Sequence, residues 1–143
     1  MTRTLIVAAL LAMFAGCAQL PPPPEDAAAK RFEPVKDKAV VYLARSALDP
    51  RFVAPVALND DMIGSTYHGT YMRLELPPGK YRLRGMGGDS GSIALATEAG
   101  KIYYVQHTAH GYRNFVSATF DQVSPDYGRS LVMAGQITAL ITH

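Results

Sequence analysis

Two histidines are the residues whose spacing first suggests chemistry in this chain of 143 residues. His107 and His110 are three positions apart, and with Asp121 or His68 nearby a metal site is conceivable, because imidazole and carboxylate groups are ordinary zinc ligands. Side chains alternate along a strand, so the two histidines would point to opposite faces unless the chain turns at residues 109–111. We therefore predict no metal site.

Tyrosine side chains supply a second candidate site, a groove for a small ligand. Aromatic rings with a polar tip commonly line binding grooves, but tyrosine is also an ordinary half-buried residue of strands, so both interpretations stay open. The tyrosines that we select as candidate groove residues are Tyr67, Tyr71, Tyr103, Tyr104 and Tyr112.

A serine in a glycine-rich loop is the remaining candidate for catalysis. The segment Gly88-Asp89-Ser90-Gly91 resembles the nucleophile loop of chymotrypsin-like proteases, and Thr108-Ala109-His110 faintly resembles their histidine segment. In those enzymes the histidine segment precedes the serine, whereas His110 follows Ser90, and the chain is too short for two six-stranded barrels. We interpret residues 85–91 as a polar loop, and we predict neither catalytic residues nor a cofactor.

The only cysteine of the chain follows an apolar stretch near the N-terminus. Leu5–Cys17 reads LIVAALLAMFAGC after Arg3, which is the pattern of a secretory signal with a basic start, an apolar run and small residues before the cleavage point. The run is shorter than the ~20 residues that a membrane-spanning helix needs. Residues 14–17 resemble the lipobox of bacterial lipoproteins, in which the cysteine is acylated and becomes the first residue of the mature protein.

The lipobox resemblance implies a signal peptide over residues 1–16 and a palmitate-bearing Cys17 that anchors the chain in a membrane. Each buried methylene of an acyl chain contributes ~0.8 kcal/mol, so two or more chains give stable attachment. In Gram-negative lipoproteins an Asp after the cysteine favours the inner membrane. Ala18 therefore predicts the cell outer membrane, with the domain facing the periplasm.

Charge and composition restrict the partners and the domain organisation. Arg3 is the only charged residue among residues 1–16, so the mature chain would carry one excess positive charge, which argues against a nucleic-acid partner. We expect contact with a membrane through the lipid on Cys17 and an envelope protein or glycan as candidate partner. Pro21–Pro24 and the polar segment Glu25–Arg31 predict a stiff tether over residues 17–37, followed by one domain over residues 38–143.

Short apolar segments separated by turn residues predict a mainly β domain. Pro55 would place its strand at an edge or a bulge, and Asn59-Asp60 predicts a tight turn. The strands predicted outside the hairpin described next are Ala39–Arg45, Phe52–Leu58, Asp61–Thr66, Ser92–Thr97, Lys101–Thr108 and Asn114–Val123.

A hairpin is predicted over Thr70–Arg84, because Pro78-Gly79 suits the central positions of a type II turn. That turn places apolar residues opposite apolar ones and an acid opposite a base. The predicted register pairs Leu76 with Tyr81, Glu75 with Arg82 and Leu74 with Leu83.

A helix is predicted near the C-terminus. Ser124 suits the capping position, Pro125 the first helical position, and Gly135 the end. Its apolar residues at helical spacing are Tyr127, Leu131 and Ala134. The fold class that follows is an antiparallel β-sandwich-like domain with a short C-terminal helix.

Several of these segments together resemble the bacterial lipoprotein family known as domain of unknown function 2846. They are VVYLAR in the first strand, LNDDMIGSTYHGTYMRLELPPGKYRL and EAGKIYYV, all within residues 37–135. The resemblance implies a periplasm-facing sandwich without an established activity. We therefore expect a non-enzymatic interaction or structural module of the cell envelope. A protein that binds a small ligand or an envelope polymer is the alternative, and a small hydrolase is the least favoured interpretation.

Overall fold

The structure is a computed structural model that describes residues 23–85, 91–112 and 115–143. It contains two helices and two packed β-sheets in this part of the chain. The helices are α1 (Pro24–Ala29) and α2 (Pro125–Ala134). The strands are β1 (Ala39–Ala44), β2 (Ala54–Leu58), β3 (Asp61–Thr66), β4 (Thr70–Leu76), β5 (Gly79–Gly85), β6 (Ser92–Thr97), β7 (Ile102–Tyr112), β8 (Phe115–Gln122) and β9 (Gln136–Thr142).

The two sheets form a sandwich, which confirms the predicted fold class. A five-stranded sheet has the order β8-β7-β1-β4-β9, and a four-stranded sheet has the order β3-β2-β5-β6. The strand pairing is mixed rather than purely antiparallel, because β7 runs parallel to β1 and β9 runs parallel to β4. Parallel neighbours need a crossover connection. The chain makes these crossovers by passing through the other sheet or through α2 before it returns.

The main core lies between the sheets and is built from alternate residues of the strands. It contains, among others, Val41, Leu43, Met72 and Leu74 from the five-stranded sheet and Val56, Leu58, Leu83 and Leu95 from the four-stranded sheet. A second apolar cluster lies on the outer face of the five-stranded sheet. Since β1 contributes to both, every residue of it is buried, which explains its unbroken apolar sequence AVVYLA.

The hairpin predicted over Thr70–Arg84 is wrong. Strand β4 pairs with β1 and β9, whereas β5 pairs with β2 and β6, so Pro77 and Pro78 connect one sheet to the other. The Tyr81 hydroxyl donates to the carbonyl oxygen of Pro77 (2.9 Å) and steadies this corner. In a hairpin the apolar residues of β4 and β5 would lie side by side on one sheet, whereas here they face each other across the core. Both arrangements bury the same alternate residues, so the sequence pattern fits either.

The predicted ion pair across that hairpin is also replaced. Glu75 pairs with Arg73 on its own strand, and Arg82 lies 3.6 Å from Asp60 in the turn before β3. A second connection between the sheets, around Gly100, joins β6 to β7 with a positive φ of 73° that suits glycine. The short connections at Pro77-Pro78 and at Gly100 therefore each carry the chain from one sheet to the other.

The tight turn at Asn59-Asp60 is confirmed. Leu58 pairs with Asp61, which leaves two residues in the loop, and Asn59 has a φ of 56° that asparagine tolerates. Strand β2, which contains Pro55, is an inner strand between β3 and β5. A bulge does interrupt its pairing with β3 at Val56 and Ala57, but the extra residue is Ile63 on β3, so the edge or bulge predicted for the strand of Pro55 lies in its neighbour.

Part of the predicted tether is folded onto the sandwich. Residues 24–29 form α1, which lies on the outer face of the five-stranded sheet and buries Asp26 and Ala29. Phe32 and Val35 continue this packing. The structure therefore packs these residues against the sheet instead of extending them as a polar spacer. Neither α1 nor α2 is long and apolar enough to cross a membrane.

Helix α2 begins and ends where the sequence predicts. Ser124 accepts a hydrogen bond from the Tyr127 N–H, Pro125 opens the helix, and Gly135 follows its last turn. The buried face differs from the predicted one, because α2 buries Gly128 and Val132 while Tyr127 is 46% exposed. The helix turns Gly128 to the sheet together with Val132, and Leu131 packs beside them, whereas Tyr127 and Met133 are exposed.

Candidate functional site

A cluster of three tyrosines occupies the outer face of the five-stranded sheet. Tyr42 on β1 lies at its centre, stacked on Tyr104 of β7 with 5.4 Å between ring centroids and packed against Tyr71 of β4 at 6.1 Å. Tyr42 and Tyr104 are in register across the parallel pair, which places their rings side by side. Phe32 covers both. Such aromatic pairs contribute ~1 kcal/mol each beyond the area they bury.

The hydroxyl groups of this tyrosine cluster are engaged within the fold. Tyr42 donates to the carbonyl oxygen of Ala29 (2.5 Å). Tyr42 also accepts a hydrogen bond from Nε of Arg73 (3.3 Å). Tyr104 accepts a hydrogen bond from Nε of Arg129 (3.2 Å). Because their polar tips are used in this way, the rings join the two helices to the sheet.

Asp26 is the buried charge that holds α1 in place. Its Oδ1 accepts hydrogen bonds from the Tyr71 hydroxyl (2.8 Å) and from the Ile137 N–H (2.9 Å), and its Oδ2 pairs with Nζ of Lys30 (2.7 Å). Burial alone raises the pKa of Asp26, but the hydrogen bonds from Lys30, Tyr71 and Ile137 outweigh it, and the pKa lies below the ordinary value. One carboxylate therefore ties α1 to both β4 and β9.

The four predicted groove tyrosines that can be located do not share one surface. Tyr71 and Tyr104 belong to the tyrosine cluster and are buried. Tyr103 points to the main core and accepts a hydrogen bond from the Glu98 N–H (3.1 Å). Tyr67 lies in the connection between β3 and β4. Tyr112 ends β7, and its side chain lies outside the described part of the structure.

An open groove of about 500 Å³ lies at one corner of the five-stranded sheet. The two helices cover the rest of this face, and the groove is left between α1 and the ends of β4 and β9. Its floor carries the ion pair of Arg73 with Glu75 and the half-exposed side chain of Leu140. Arg31 and Glu33 stand at its rim. Arg31 pairs with Glu33 and Arg73 with Glu75, and Glu25 also lines the groove, so its surface carries charges of both signs.

His107 lies inside the sandwich, where Nδ1 is 2.8 Å from the Thr66 hydroxyl. Its ring stacks on Phe120 with 4.4 Å between centroids. Nε2 has no hydrogen-bond partner in the described part of the chain, which leaves a polar atom unsatisfied in the core. Burial, reinforced by the charge of Arg45, lowers the pKa of His107 to about 4. His107 is therefore a neutral core residue that bridges the two sheets.

Arg45 is the second buried polar residue near this end of the sandwich. Its guanidinium donates to the carbonyl oxygens of Phe52 (2.9 Å) and Pro50 (2.8 Å) and pairs with Asp49 (3.2 Å). Asp49 in turn accepts a hydrogen bond from the Ala109 N–H (3.3 Å). The arrangement fastens the loop after β1 to β7, a structural role that the sequence analysis did not foresee.

The histidines selected from the sequence are not brought together. Strand β7 continues from residue 102 to residue 112 without a turn, so His107 is buried and His110 is exposed on the other face. Across the described ranges, no group of three His, Cys, Asp or Glu side chains could hold a metal ion. Ser90 and Asp89 lie outside the described residues.

Comparison with protein families agrees with the sequence resemblance. The model of the family described as "Protein of unknown function (DUF2846)" matches residues 35–118. The chain belongs to this family. The matched DUF2846 segment begins after α1 and ends within β8. Helix α2 and strand β9, the edge strand of the five-stranded sheet, lie beyond it. The search of curated proteins finds no match.

Proposed function

We propose that this DUF2846 protein is a lipid-anchored, non-enzymatic interaction module of the bacterial envelope, facing the periplasm from the outer membrane. The observation that carries the proposal is the pattern Leu5–Cys17, an apolar run that ends in small residues and the only cysteine of the chain. Ala18 after that cysteine favours the outer membrane.

The position of α1 adds to this proposal. The first described helix, α1, begins at Pro24, and six residues, 18–23, separate it from Cys17 in the sequence. A segment of this length reaches at most about 20 Å. The sandwich would be held close to the lipid surface, with α1 and the five-stranded sheet nearest to the point of attachment.

Two features favour a binding module over an enzyme. The buried polar side chains, which include Asp26, Arg45 and Tyr71, are bonded within the fold and hold elements together. The corner groove contains an ion pair but no nucleophile beside a base, which acyl transfer would require.

The lipid anchor is tested by expressing the full chain in a Gram-negative host that is fed radioactive palmitate. We expect label on the wild-type protein, none on the Cys17→Ser variant, and an N-terminal peptide that begins at an acylated Cys17 in mass spectrometry. Unlabelled wild-type protein that fractionates with soluble periplasmic contents would contradict the proposal.

The matched control is Ala18→Asp, which keeps the acylated cysteine but changes the residue after it. This variant should take up as much palmitate as the wild type and move to the inner-membrane fraction of a density gradient. If both proteins remain in the inner membrane, the outer-membrane part of the proposal fails while the lipid anchor stands.

A further inference from the structure

A row of cations runs along the outer face of the four-stranded sheet. Lys80, Arg82 and Arg84 alternate on β5 with Tyr81 and Leu83, which point to the core. Alternate residues of a strand are about 7 Å apart, so the three charges form a line about 14 Å long. Arg82 and Lys80 are exposed, and Arg84 is partly exposed. We call these three residues the basic row.

The basic row stands on a floor of small residues. On β6 its members are in register with residues that have short, exposed side chains. On the other side Arg84 covers Ala57 of β2, which is fully buried beneath it. Those β6 partners are Ser92, Ala94 and Ala96. A ligand can therefore lie flat along the row without meeting a bulky side chain on the β6 side.

Counter-charges are sparse at this face. Within the described ranges, Asp60 is the carboxylate that pairs with the row, at 3.6 Å from Arg82 and 3.8 Å from Arg84. Asp60 is 83% exposed, and exposed ion pairs of this length are weak and screened by salt. Counted over the described side chains alone, the row with Asp60 thus has two excess positive charges. On the other side of the sandwich, Lys30 pairs with Asp26 at α1 and Arg73 pairs with Glu75 on β4.

We propose that the basic row binds an extended anionic polymer that carries phosphate or carboxylate groups at intervals along its length. Guanidinium groups bind both kinds of anion through paired N–H donors, and the ammonium of Lys80 adds a third point of attraction. The linear spacing of the charges and the flat floor match a chain-like ligand better than a single compact anion. This inference deepens the proposed function by naming the class of partner.

A polymer is favoured over the surface of the anchoring membrane for a geometric reason, which rests on the proposed lipid anchor. α1, where the described chain begins, packs on the five-stranded sheet, and the basic row is on the opposite side of the sandwich. The two sheets are about 10 Å apart. An anchor joined to α1 would attach to the side of the sandwich opposite the row, which leaves the row accessible to a polymer.

The test measures binding of the full chain, purified in detergent, to fluorescently labelled long-chain polyphosphate and to labelled polyglutamate. We expect the wild type to bind at least one of these polymers, with an affinity that falls with salt as expected for about three neutralised charges. The variant Lys80→Gln/Arg82→Gln/Arg84→Gln should bind about tenfold more weakly or worse. Its unfolding curve should stay close to that of the wild type, because the three side chains are at the surface.

The matched control is Lys36→Gln/Arg51→Gln/Lys101→Gln, which removes three exposed cations away from the row. It should retain the polymer affinity of the wild type within about twofold if the position of the cations, rather than the net charge of the protein, determines binding. Equal losses in both triple variants, or no binding by the wild type, would overturn the proposal. Binding to phosphatidylglycerol vesicles but to neither polymer would overturn it in favour of a lipid surface. Absence of palmitate on Cys17 would remove the anchor argument without changing these binding results.

Discussion

At the scale of single residues, Gly128 decides how closely α2 packs on the five-stranded sheet. In an isolated helix Gly128 costs ~1 kcal/mol relative to alanine. In the structure, an added Cβ at this position would overlap the Cβ and the ring of Tyr104. The glycine lets α2 approach the sheet closely enough to cover the tyrosine cluster.

We therefore expect Gly128→Ala to destabilise the protein although it raises helix propensity. Overpacking at a close contact costs about 1–3 kcal/mol, which exceeds the propensity gain or cancels it. Urea unfolding measures the difference. Ser130→Ala, at an exposed position two residues away, is the control and should change the free energy of unfolding by less than ~0.5 kcal/mol. A Gly128→Ala variant clearly more stable than the wild type would show that α2 does not pack as described.

At the scale of elements, α1 is short and depends on its contacts. A helix of six residues is not stable alone in water. It is kept by Asp26, which bonds to β4 through Tyr71 and to β9 through Ile137. In the described sheet β9 is the edge strand next to β4, so one carboxylate stabilises this edge and the first described helix together.

We expect Asp26→Ala to lower the free energy of unfolding by about 3 kcal/mol, because it leaves Lys30 without its carboxylate and two buried donors unsatisfied. It should also release α1, so that trypsin cleaves after Lys30 and Arg31 faster than in the wild type. Glu25→Ala is the matched control, since Glu25 is the exposed neighbour in the same helix. Equal stability and equal cleavage rates in the two variants would contradict the role given to Asp26.

At the scale of the whole molecule, the outer faces of the two sheets differ. The five-stranded sheet packs its outer face against α1, α2, Phe32 and Val35. The outer face of the four-stranded sheet displays the basic row, in which Lys80 and Arg82 are exposed and Arg84 is partly exposed. Between them, the hydrogen bond of His107 on β7 to Thr66 on β3 is a polar contact that joins the layers through the core.

His107 should make the stability of the sandwich depend on pH. Above its unfolded pKa of 6.5 the residue is neutral in both states. As the pH falls below 6.5, His107 binds a proton in the unfolded chain but stays neutral in the folded chain until about pH 4. The free energy of unfolding therefore decreases between these two pH values. The loss should reach the order of 3 kcal/mol near pH 4, because each pH unit corresponds to about 1.4 kcal/mol.

Urea unfolding between pH 7 and about pH 4.5 measures this dependence. His107→Gln, which keeps a polar side chain without a titrating proton, should flatten the curve. His110→Gln, on the exposed face of the same strand, is the control and should leave the slope of the wild type. If His107→Gln and the wild type lose stability in parallel, the pH dependence arises from other groups.

Much of the architecture could be predicted from local sequence, because local forces decide it. Strand alternation placed β3 and β6 at their observed bounds, and the capping chemistry of Ser124 and Pro125 placed the start of α2. Strand β9 was not predicted, although Ile137, Ala139 and Ile141 alternate with exposed residues there. In β5 the alternation of Lys80, Arg82 and Arg84 with Tyr81 and Leu83 was used only to set a hairpin register, and the row of cations that it forms was not noted.

The sequence by itself determined that this chain is a β-sandwich with a late helix, that it belongs to the DUF2846 family, and that its only cysteine ends a lipobox-like segment. Only the tertiary structure decided which strands are neighbours. The turn at Pro78-Gly79 suits a hairpin and a corner equally well, because the alternation of β4 and β5 is satisfied whether their apolar faces lie side by side or meet across the core. The roles of Asp26 and Gly128 could not be predicted from local sequence either, because they depend on partners more than twenty residues away in the chain.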